Sequence, residues 1–299
     1  MISEQQVYKC KYLFYHSGCP DGIAAREIML YAFPHLIPQP FWFGAKIDGE
    51  LEDKLKDGAI FIDIHPNMDQ IILLMERYFI CIADHHKTSS NSLNELYECG
   101  YDSRIMIGNN EMAESGAVLA YKIALHALDF SDPSGYIKDF ATLIGISDTW
   151  HTENPRFQES RNLANWIQVF GNTFTGVPDK TMWKMIESYK KASEIKNKSL
   201  AKGAIIREKN GLRVAFINGE FISDASEILR GQGVNVIVGH KVVTVPGKGE
   251  CLNYSVRSDA SYNARILCEN FGGGGHDQAA GCSIPYTGQH PIGFILEQI

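Results

Sequence analysis

Short apolar segments alternate with helix-like segments along the first half of the chain, and this alternation narrows the possible folds more than any other feature. Residues 12–15, 59–62 and 78–83 are apolar or aromatic runs of strand length, which is typical of buried strands. Residues 23–30, 68–77 and 115–128 indicate helices. Since parallel strands need crossover connections of this kind, we predict an α/β fold whose first domain has a mainly parallel sheet with helices on both faces.

Each of these three predicted strands is followed by side chains that can bind a metal ion. His16 follows the first strand, Asp63 the second, and the string Asp84-His85-His86 the third. Because the carboxyl ends of parallel strands meet at one edge of a sheet, these side chains can converge although they lie far apart in the sequence.

Two further segments add candidates to this set. The turn after residue 16 contains Cys19 and Asp21, and Asp148 follows the apolar run 141–146, whose pattern fits a strand or a helix. Two divalent ions a few ångström apart need oxygen and imidazole ligands together with a bridging carboxylate. The chain supplies such a set, and we predict a two-metal site where these segments meet.

The composition narrows the range of partners. The chain has 299 residues, 44% of them apolar and 21% charged, and a formal charge of −7. Long duplex nucleic acid is disfavoured, because its binding depends on Lys and Arg neutralising phosphates. There is no apolar stretch of membrane-spanning length, no secretory signal pattern and no CxxC pair among the seven cysteines. These features predict a cytoplasmic protein that does not engage a membrane.

The sequence also predicts two domains joined by a connector. Residues 184–209 are rich in Lys and Glu and are predicted to form a solvated helical connector. Residues 1–183 would form the metal-binding domain. Residues 210–299 contain strand-like runs at 212–217, 234–238 and 251–256 that alternate with helical segments, so we predict a smaller α/β domain there.

Four consecutive glycines and a histidine form the run 272–276 near the carboxyl end. An apolar segment precedes the run and a small-residue segment follows it, which favours a position inside a domain over a flexible linker. Backbone at Gly273, Gly274 and Gly275 can approach an anionic ligand closely and adopt positive φ. We predict that these glycines and His276 bind substrate phosphate.

In their order and spacing, these motifs resemble the DHH phosphoesterase superfamily, which includes RecJ-type exonucleases, oligoribonucleases, cyclic-dinucleotide phosphodiesterases and manganese pyrophosphatases and exopolyphosphatases. The matching strings are the turn 16–22, Phe61-Ile62-Asp63, Asp84-His85-His86, Gly145-Ile146-Ser147-Asp148-Thr149, Ser255-Val256-Arg257-Ser258, the run 272–276 and Ala279-Ala280-Gly281. The resemblance spans nearly the whole chain. It implies a catalytic DHH domain followed by a DHH-associated substrate-binding domain.

The resemblance implies two divalent metal ions, with Mn²⁺ expected first and Mg²⁺, Co²⁺ or Zn²⁺ as alternatives. The implied ligands are His16 and Asp63 for the first ion, and Asp21, Asp63, His85 and Asp148 for the second. The family's first turn usually carries Asp-x-Asp-Gly, whereas this chain has Cys19-Pro20-Asp21-Gly22. Cys19 is either a thiolate ligand, which would shift the metal preference towards Zn²⁺, or a small apolar residue beside a weak first site.

Roles for the remaining motif residues also follow from the resemblance. His86 would be a catalytic residue facing the leaving group or a phosphate oxygen, and Asp84 would orient an imidazole. Arg257 and Ser258, together with the glycine run and His276, would bind the substrate.

The implied reaction is hydrolysis of phosphodiester bonds in short oligonucleotides or small nucleotides, by water that two metal ions activate. The Cys-Pro-Asp-Gly turn resembles an exopolyphosphatase-like branch, so hydrolysis of polyphosphate or pyrophosphate is an alternative. A second alternative is a non-catalytic nucleotide-binding protein whose first metal site is degenerate. The sequence leaves open whether the protein is a monomer or a homodimer.

Overall fold

The computed structural model describes residues 2–42, 45–127, 130–170, 176, 180–219, 222–245 and 249–299. It divides into two compact units, Met1–Lys190 and Lys191–Ile299. The division falls within a single long helix. None of the helices formed by the described residues combines the length and the apolar composition needed to span a bilayer.

The first unit contains a sheet and its crossover helices. The strands are β1 (Tyr12–His16), β2 (Ile37–Phe41), β3 (Ala59–Ile62), β4 (Ile80–Asp84) and β5 (Ile105–Ile107). The α-helices are α1 (Glu4–Val7), α2 (Pro20–Ala32), α3 (Gly49–Leu55), α4 (Met68–Arg77), α5 (Lys87–Leu96), α6 (Gly116–Ala124), α7 (Tyr136–Asp148), α8 (Phe157–Phe170) and α9 (Lys180–Lys202). Short π or 3₁₀ turns cover Tyr97–Tyr101, Asp102–Arg104 and Asn110–Met112.

All five strands of this sheet pair in parallel, in the order β2-β1-β3-β4-β5. The three strands that carry predicted metal ligands, β1, β3 and β4, are therefore neighbours. β2 lies on one side of β1 and β3 lies on the other, so the chain reverses its direction of travel across the sheet after β2. In open α/β sheets a crevice for ligands opens at such a reversal, outside the carboxyl ends of the strands.

Buried side chains cover both faces of the sheet. On one face Leu13 of β1 belongs to a core that includes residues of α2, α6, α7 and α8. On the other face the adjacent Phe14 packs with Phe61 of β3 and with residues of α3, α4 and α5, its ring 4.6 Å from that of Phe61. The predicted parallel sheet with helices on both faces is confirmed.

The second unit contains a six-stranded mixed sheet. Its strands are β6 (Ile205–Lys209), β7 (Leu212–Asn218), β8 (Val236–Val245), β9 (Gly249–Ser258), β10 (Gly274–His276) and β11 (Ala279–Pro285). Its further helices are α10 (Ser223–Arg230), α11 (Ala264–Glu269) and α12 (Pro291–Leu296). The strand order is β10-β11-β9-β8-β7-β6; β7 and β8 pair in parallel and the other neighbours pair antiparallel. Leu229 of α10 packs on one face of the sheet, and Leu267 of α11 and Ile295 of α12 pack on the other.

One element was left open by the sequence and two differ from its expectations. The run 141–146, whose pattern fitted a strand or a helix, lies inside helix α7, so Asp148 is the last residue of a helix. The predicted helical connector 184–209 is helical only as far as Lys202. Its last residues, Ile205–Lys209, form an edge strand that pairs with β7. Helix α6 ends at Ala124, short of the predicted end at residue 128, which lies outside the described residues.

Candidate metal centre

The predicted metal-binding side chains of the first unit meet at the carboxyl edge of the parallel sheet. Three overlapping sets of side chains have ligand atoms within 4.8 Å of one another: His16, Cys19 and Asp63; Asp63, His85 and His86; and Asp21, His85 and Asp148. β1 positions His16, the residue after β3 is Asp63, and β4 leads into His85. Helices supply the other two carboxylates, Asp21 at the start of α2 and Asp148 at the end of α7.

Asp63 lies at the centre of the cluster. Its Oδ2 is 3.3 Å from Nδ1 of His16, and its Oδ1 is 3.1 Å from Nε2 of His85. Asp63 has φ of 60°, in the left-handed region that residues other than glycine rarely adopt, and its N–H donates to the carbonyl of Ala83 at 2.8 Å. Strained backbone of this kind concentrates at functional sites.

Asp21 is held by the start of helix α6. The hydroxyl of Ser115 donates to Oδ1 at 2.6 Å, and the backbone N–H groups of Gly116 and Ala117 donate to Oδ2 and Oδ1 at 2.6 and 2.8 Å. A helix N-terminus stabilises a carboxylate. Burial alone would raise the pKa of Asp21, but the adjacent His85 ring and the hydrogen bond from Ser115 outweigh that effect and lower the pKa to about 2.

Gly116 also keeps the site compact. A Cβ atom at this position would lie 2.4 Å from Cβ of Asp63 and 2.9 Å from Oδ2 of Asp21. Likewise, a Cβ at Gly22 in α2 would lie 2.2 Å from the carbonyl oxygen of His16. The close approach of the helices to the ligands therefore depends on these two glycines.

Asp84 acts on its neighbours rather than facing the centre of the cluster. Its Oδ1 accepts hydrogen bonds from Nδ1 of His86 at 2.7 Å and from the backbone N–H groups of His85 and His86 at 2.8 and 3.2 Å. Burial would raise the pKa of Asp84, but the charge and hydrogen bond of His86 hold it well below its usual range. This is the geometry expected of a carboxylate that orients an imidazole.

Several buried polar atoms of the cluster face one another without hydrogen bonds. Within the described part of the chain, Nδ1 of His16 and both carboxylate oxygens of Asp63 are buried and make no hydrogen bond. Unsatisfied buried polar atoms are costly, and carboxylate and imidazole donors that converge in this way are the ligands of divalent cations. The residues present therefore fit metal ions.

The charges of the cluster lead to the same conclusion. Burial, reinforced by the neighbouring Asp21, raises the pKa of Asp63 well above its usual value, and the same two causes raise that of Asp148. These carboxylates cannot all ionise side by side without positive charge. A divalent cation supplies that charge in place of protons.

Cys19 lies beside the cluster, with its Sγ 4.0 Å from Oδ1 of Asp148. Burial raises the pKa of its thiol, and the nearby Asp63 and Asp148 raise it further. The thiol is therefore neutral at neutral pH when no cation is bound.

The predicted substrate-binding residues of the second unit lie on and beside β9, β10 and β11. Arg257 pairs across β9 and β11 with Ala279, which pairs in turn with His276, so these three side chains share one face of the sheet. Arg257 donates through Nε and Nη2 to the hydroxyl of Ser223 at 3.1 and 3.0 Å. Ser258 is fully buried and donates its hydroxyl to the carbonyl of Tyr262, so it does not present that group to solvent.

The glycine run forms part of a tight hairpin. A Cβ at Gly273 would lie 2.1 Å from the carbonyl oxygen of Gly281. Gly275 has φ of 138°, and a Cβ there would lie 2.5 Å from the carbonyl oxygen of Ala279. Packing of the β10–β11 hairpin requires glycine at both positions. That requirement is separate from the phosphate contact that we predicted for Gly273, Gly274 and Gly275.

Sequence reasoning did not find Asn110, Gly116 or His151. Nδ1 of His85 lies 2.7 Å from Oδ1 of Asn110, and Nε2 of His151 lies 2.6 Å from the carbonyl oxygen of Asn110. Ser115 is the first residue of the predicted helix 115–128, but its hydrogen bond to Asp21 depends on tertiary structure.

Comparisons with known proteins bear on the fold. No family model matches the sequence, and no curated protein matches it. Among solved structures, the DHH domain of a member of a family of ribosomal proteins is 12% identical with a TM-score of 0.54, covering 98% of this chain and 86% of that one. A manganese-bound RecJ exonuclease is 12% identical with a TM-score of 0.50, covering 98% of this chain and 90% of that one. An exopolyphosphatase-related protein from Bacteroides fragilis is 12% identical with a TM-score of 0.47, covering 98% and 94%.

The first two likenesses show that this chain has the fold of DHH-domain proteins. They confirm the two-unit α/β fold that the resemblance in the sequence implied.

Proposed function

We propose that this protein is a metal-dependent phosphoesterase that hydrolyses phosphodiester bonds in short oligonucleotides or small nucleotides. The observation that carries the proposal is Asp63, whose two buried oxygens make no hydrogen bond within the described residues and face His16 on one side and His85 on the other. A carboxylate placed in this way suits a bridge between two cations. The DHH fold, shared with a manganese-bound exonuclease, supports the same class of reaction.

Two divalent cations would be held by the side chains of the cluster. His16, Asp63 and Cys19 would hold the first, and Asp21, Asp63, His85 and Asp148 the second. Bound there, the ions would supply Lewis-acid activation of water and neutralise the charge of a phosphate group. Mn²⁺ is our first choice, because hard carboxylate oxygens predominate over the single thiol.

The chain's own residues prepare the rest of the reaction. The Asp84 carboxylate fixes the ring of His86 through Nδ1, which directs the other ring nitrogen, Nε2, away from Asp84. His86 would hold or deliver a proton to the leaving oxygen from that nitrogen. Arg257 and His276, which share one face of the second sheet, would bind substrate phosphate or a terminal nucleotide.

A hydrolysis panel tests this proposal. Purified protein with Mn²⁺ is assayed on a short oligonucleotide, a linear and a cyclic dinucleotide, phosphoadenosine phosphate and polyphosphate. Asp63→Asn serves as the matched inactive control, because it preserves the side-chain volume but removes the charge that two cations would share. We expect release of nucleotide from at least one phosphodiester and loss of at least about 10³-fold in Asp63→Asn. Equal rates in wild type and Asp63→Asn would refute a role for this cluster.

Hydrolysis of polyphosphate or pyrophosphate is the second candidate. It is favoured by Cys19, which stands in the ligand cluster where an aspartate is usual in the family. Cleavage of polyphosphate alone in the panel would select this activity. Binding of nucleotides without hydrolysis of any substrate would instead select the non-catalytic binder.

A further inference from the structure

The segment that joins β5 to α6 contacts two of the predicted metal ligands, although none of the sequence motifs includes it. Its amino-terminal part contacts His85, and Ser115 at its carboxyl-terminal end donates to Asp21 together with the first turn of α6, which follows directly. A Cβ at Gly108, where the segment begins, would lie 2.7 Å from Cβ of His85. The segment therefore packs directly against the back of the cluster.

Asn110 makes the polar contact to His85. Oδ1 of Asn110 lies 2.7 Å from Nδ1 of the His85 ring, and the ring is fully buried. Since an amide oxygen only accepts hydrogen bonds, the contact requires a proton on Nδ1. The opposite nitrogen, Nε2, then points at the carboxylates, 3.4 Å from Asp21, 3.1 Å from Asp63 and 3.3 Å from Asp148.

Asn110 is itself fixed from the end of helix α7. Nε2 of His151 donates to the Asn110 carbonyl at 2.6 Å. The N–H of His151 donates to the carbonyl of Ile146 at 3.0 Å, which closes a turn in which Trp150 adopts φ of 58°. Glycine is usual at such a position after a helix. The left-handed region is strained for a tryptophan, and the turn that this conformation permits returns His151 to Asn110.

We infer that Asn110 is a positioning residue for the metal centre: it holds the proton of His85 on Nδ1 and so presents Nε2 to the second cation. The inference rests on the proposed function for its cation, but it concerns the affinity of the site rather than the reaction. Because Asn110 and Ser115 belong to one segment, that segment contacts two ligands of the second site, His85 and Asp21. Removing the hydrogen-bond partner of a metal-binding imidazole typically lowers metal affinity by about 10–100-fold.

Three variants test the inference by Mn²⁺ titration calorimetry, which does not require turnover. Asn110→Leu keeps the approximate shape but removes the acceptor, and we expect the affinity of the tighter Mn²⁺ site to fall by about 10–100-fold. Asn110→Asp keeps an acceptor oxygen and should bind Mn²⁺ at least as tightly as wild type. Asn109→Ala loosens the same turn, because it removes the acceptor for the N–H of Glu111, but it leaves His85 untouched. We expect near-wild-type affinity from it.

The outcomes separate a positioning role from a structural one. Asn110→Leu binding within about threefold of wild type would overturn the inference, and so would an equal loss in Asn110→Asp. A loss in Asn109→Ala as large as that in Asn110→Leu would show that the turn, not the acceptor, matters. If wild type binds Mn²⁺ in the expected pattern but cleaves no phosphoester, the proposed function fails and the inference stands. If wild type hydrolyses a phosphoester and Asn110→Leu binds Mn²⁺ as tightly as wild type does, the inference fails and the proposed function stands.

Discussion

Replacing Gly116 with alanine tests how tightly the cluster is built. The new Cβ would lie 2.4 Å from Cβ of Asp63 and 2.9 Å from Oδ2 of Asp21. Non-bonded carbon atoms settle at about 3.5–4.0 Å, so Asp63 must retreat by about 1 Å. Overpacking of this kind costs about 1–3 kcal/mol, which a protein of ordinary stability survives. Misplacement of a reacting group by about 1 Å costs about 10²-fold in rate.

The assay combines kcat/KM on the best substrate of the panel with Mn²⁺ calorimetry and thermal unfolding. We expect Gly116→Ala to fold, to lose about 10²-fold in kcat/KM and to bind Mn²⁺ more weakly. Gly49→Ala is the matched control, because a Cβ at the start of α3 would meet nothing within 4 Å. If Gly116→Ala keeps kcat/KM and Mn²⁺ affinity within about threefold of wild type, the ligands are not packed as tightly as the contact distances require.

Three other predictions concern the first site, the second unit and metal removal. Cys19→Asp should preserve or raise Mn²⁺-dependent hydrolysis if Cys19 is a ligand, since a carboxylate suits Mn²⁺ better than a thiol; loss of Mn²⁺ from this variant in elemental analysis would count against that role. His276→Ala should raise KM for the cleaved substrate while Mn²⁺ content stays constant; a stripped metal site would show that its predicted role in substrate binding is wrong. Mn²⁺ at about 100 times its Kd should stabilise the fold by about 2.7 kcal/mol and raise Tm by about 5–10 °C, an effect that EDTA reverses and that Asp63→Asn lacks in scanning calorimetry.

The convergence of the strand-end ligands was predictable from the sequence. His16, Asp63 and His85 each follow an apolar run of strand length, and the parallel arrangement brings such ends to one edge. The neighbouring positions of β1, β3 and β4 in the sheet bear out that step. The fold class followed from the same alternation.

Several of the strands that the sequence did not predict are edge strands of the two sheets. Strand β2 contains Pro38 and Pro40, which weaken the strand pattern and are tolerated because β2 is an edge strand. Strand β5 has three residues and gives no periodicity. Strand Ile205–Lys209 also lies at an edge, and three of its five residues are charged, so its composition resembled that of the solvated helix before it.

The remaining parts of the site depend on contacts between distant segments. A short apolar run does not distinguish a strand from a helix, so the sequence left open which element carries Asp148. In the structure it is the last residue of the 13-residue helix α7. The contact between Asn110 and His85 joins residues 25 positions apart, and no spacing rule predicts it. Gly116 matters only because two carboxylates from other elements lie against it.

The central claim is that this cluster holds two cations that share Asp63. Crystals grown with Mn²⁺ test it directly, through an anomalous difference map collected at the manganese absorption edge. We predict two peaks, one against His16 and Asp63 and the other against Asp21, Asp63, His85 and Asp148. A single peak that does not touch Asp63, or manganese bound only outside this cluster, would contradict the account.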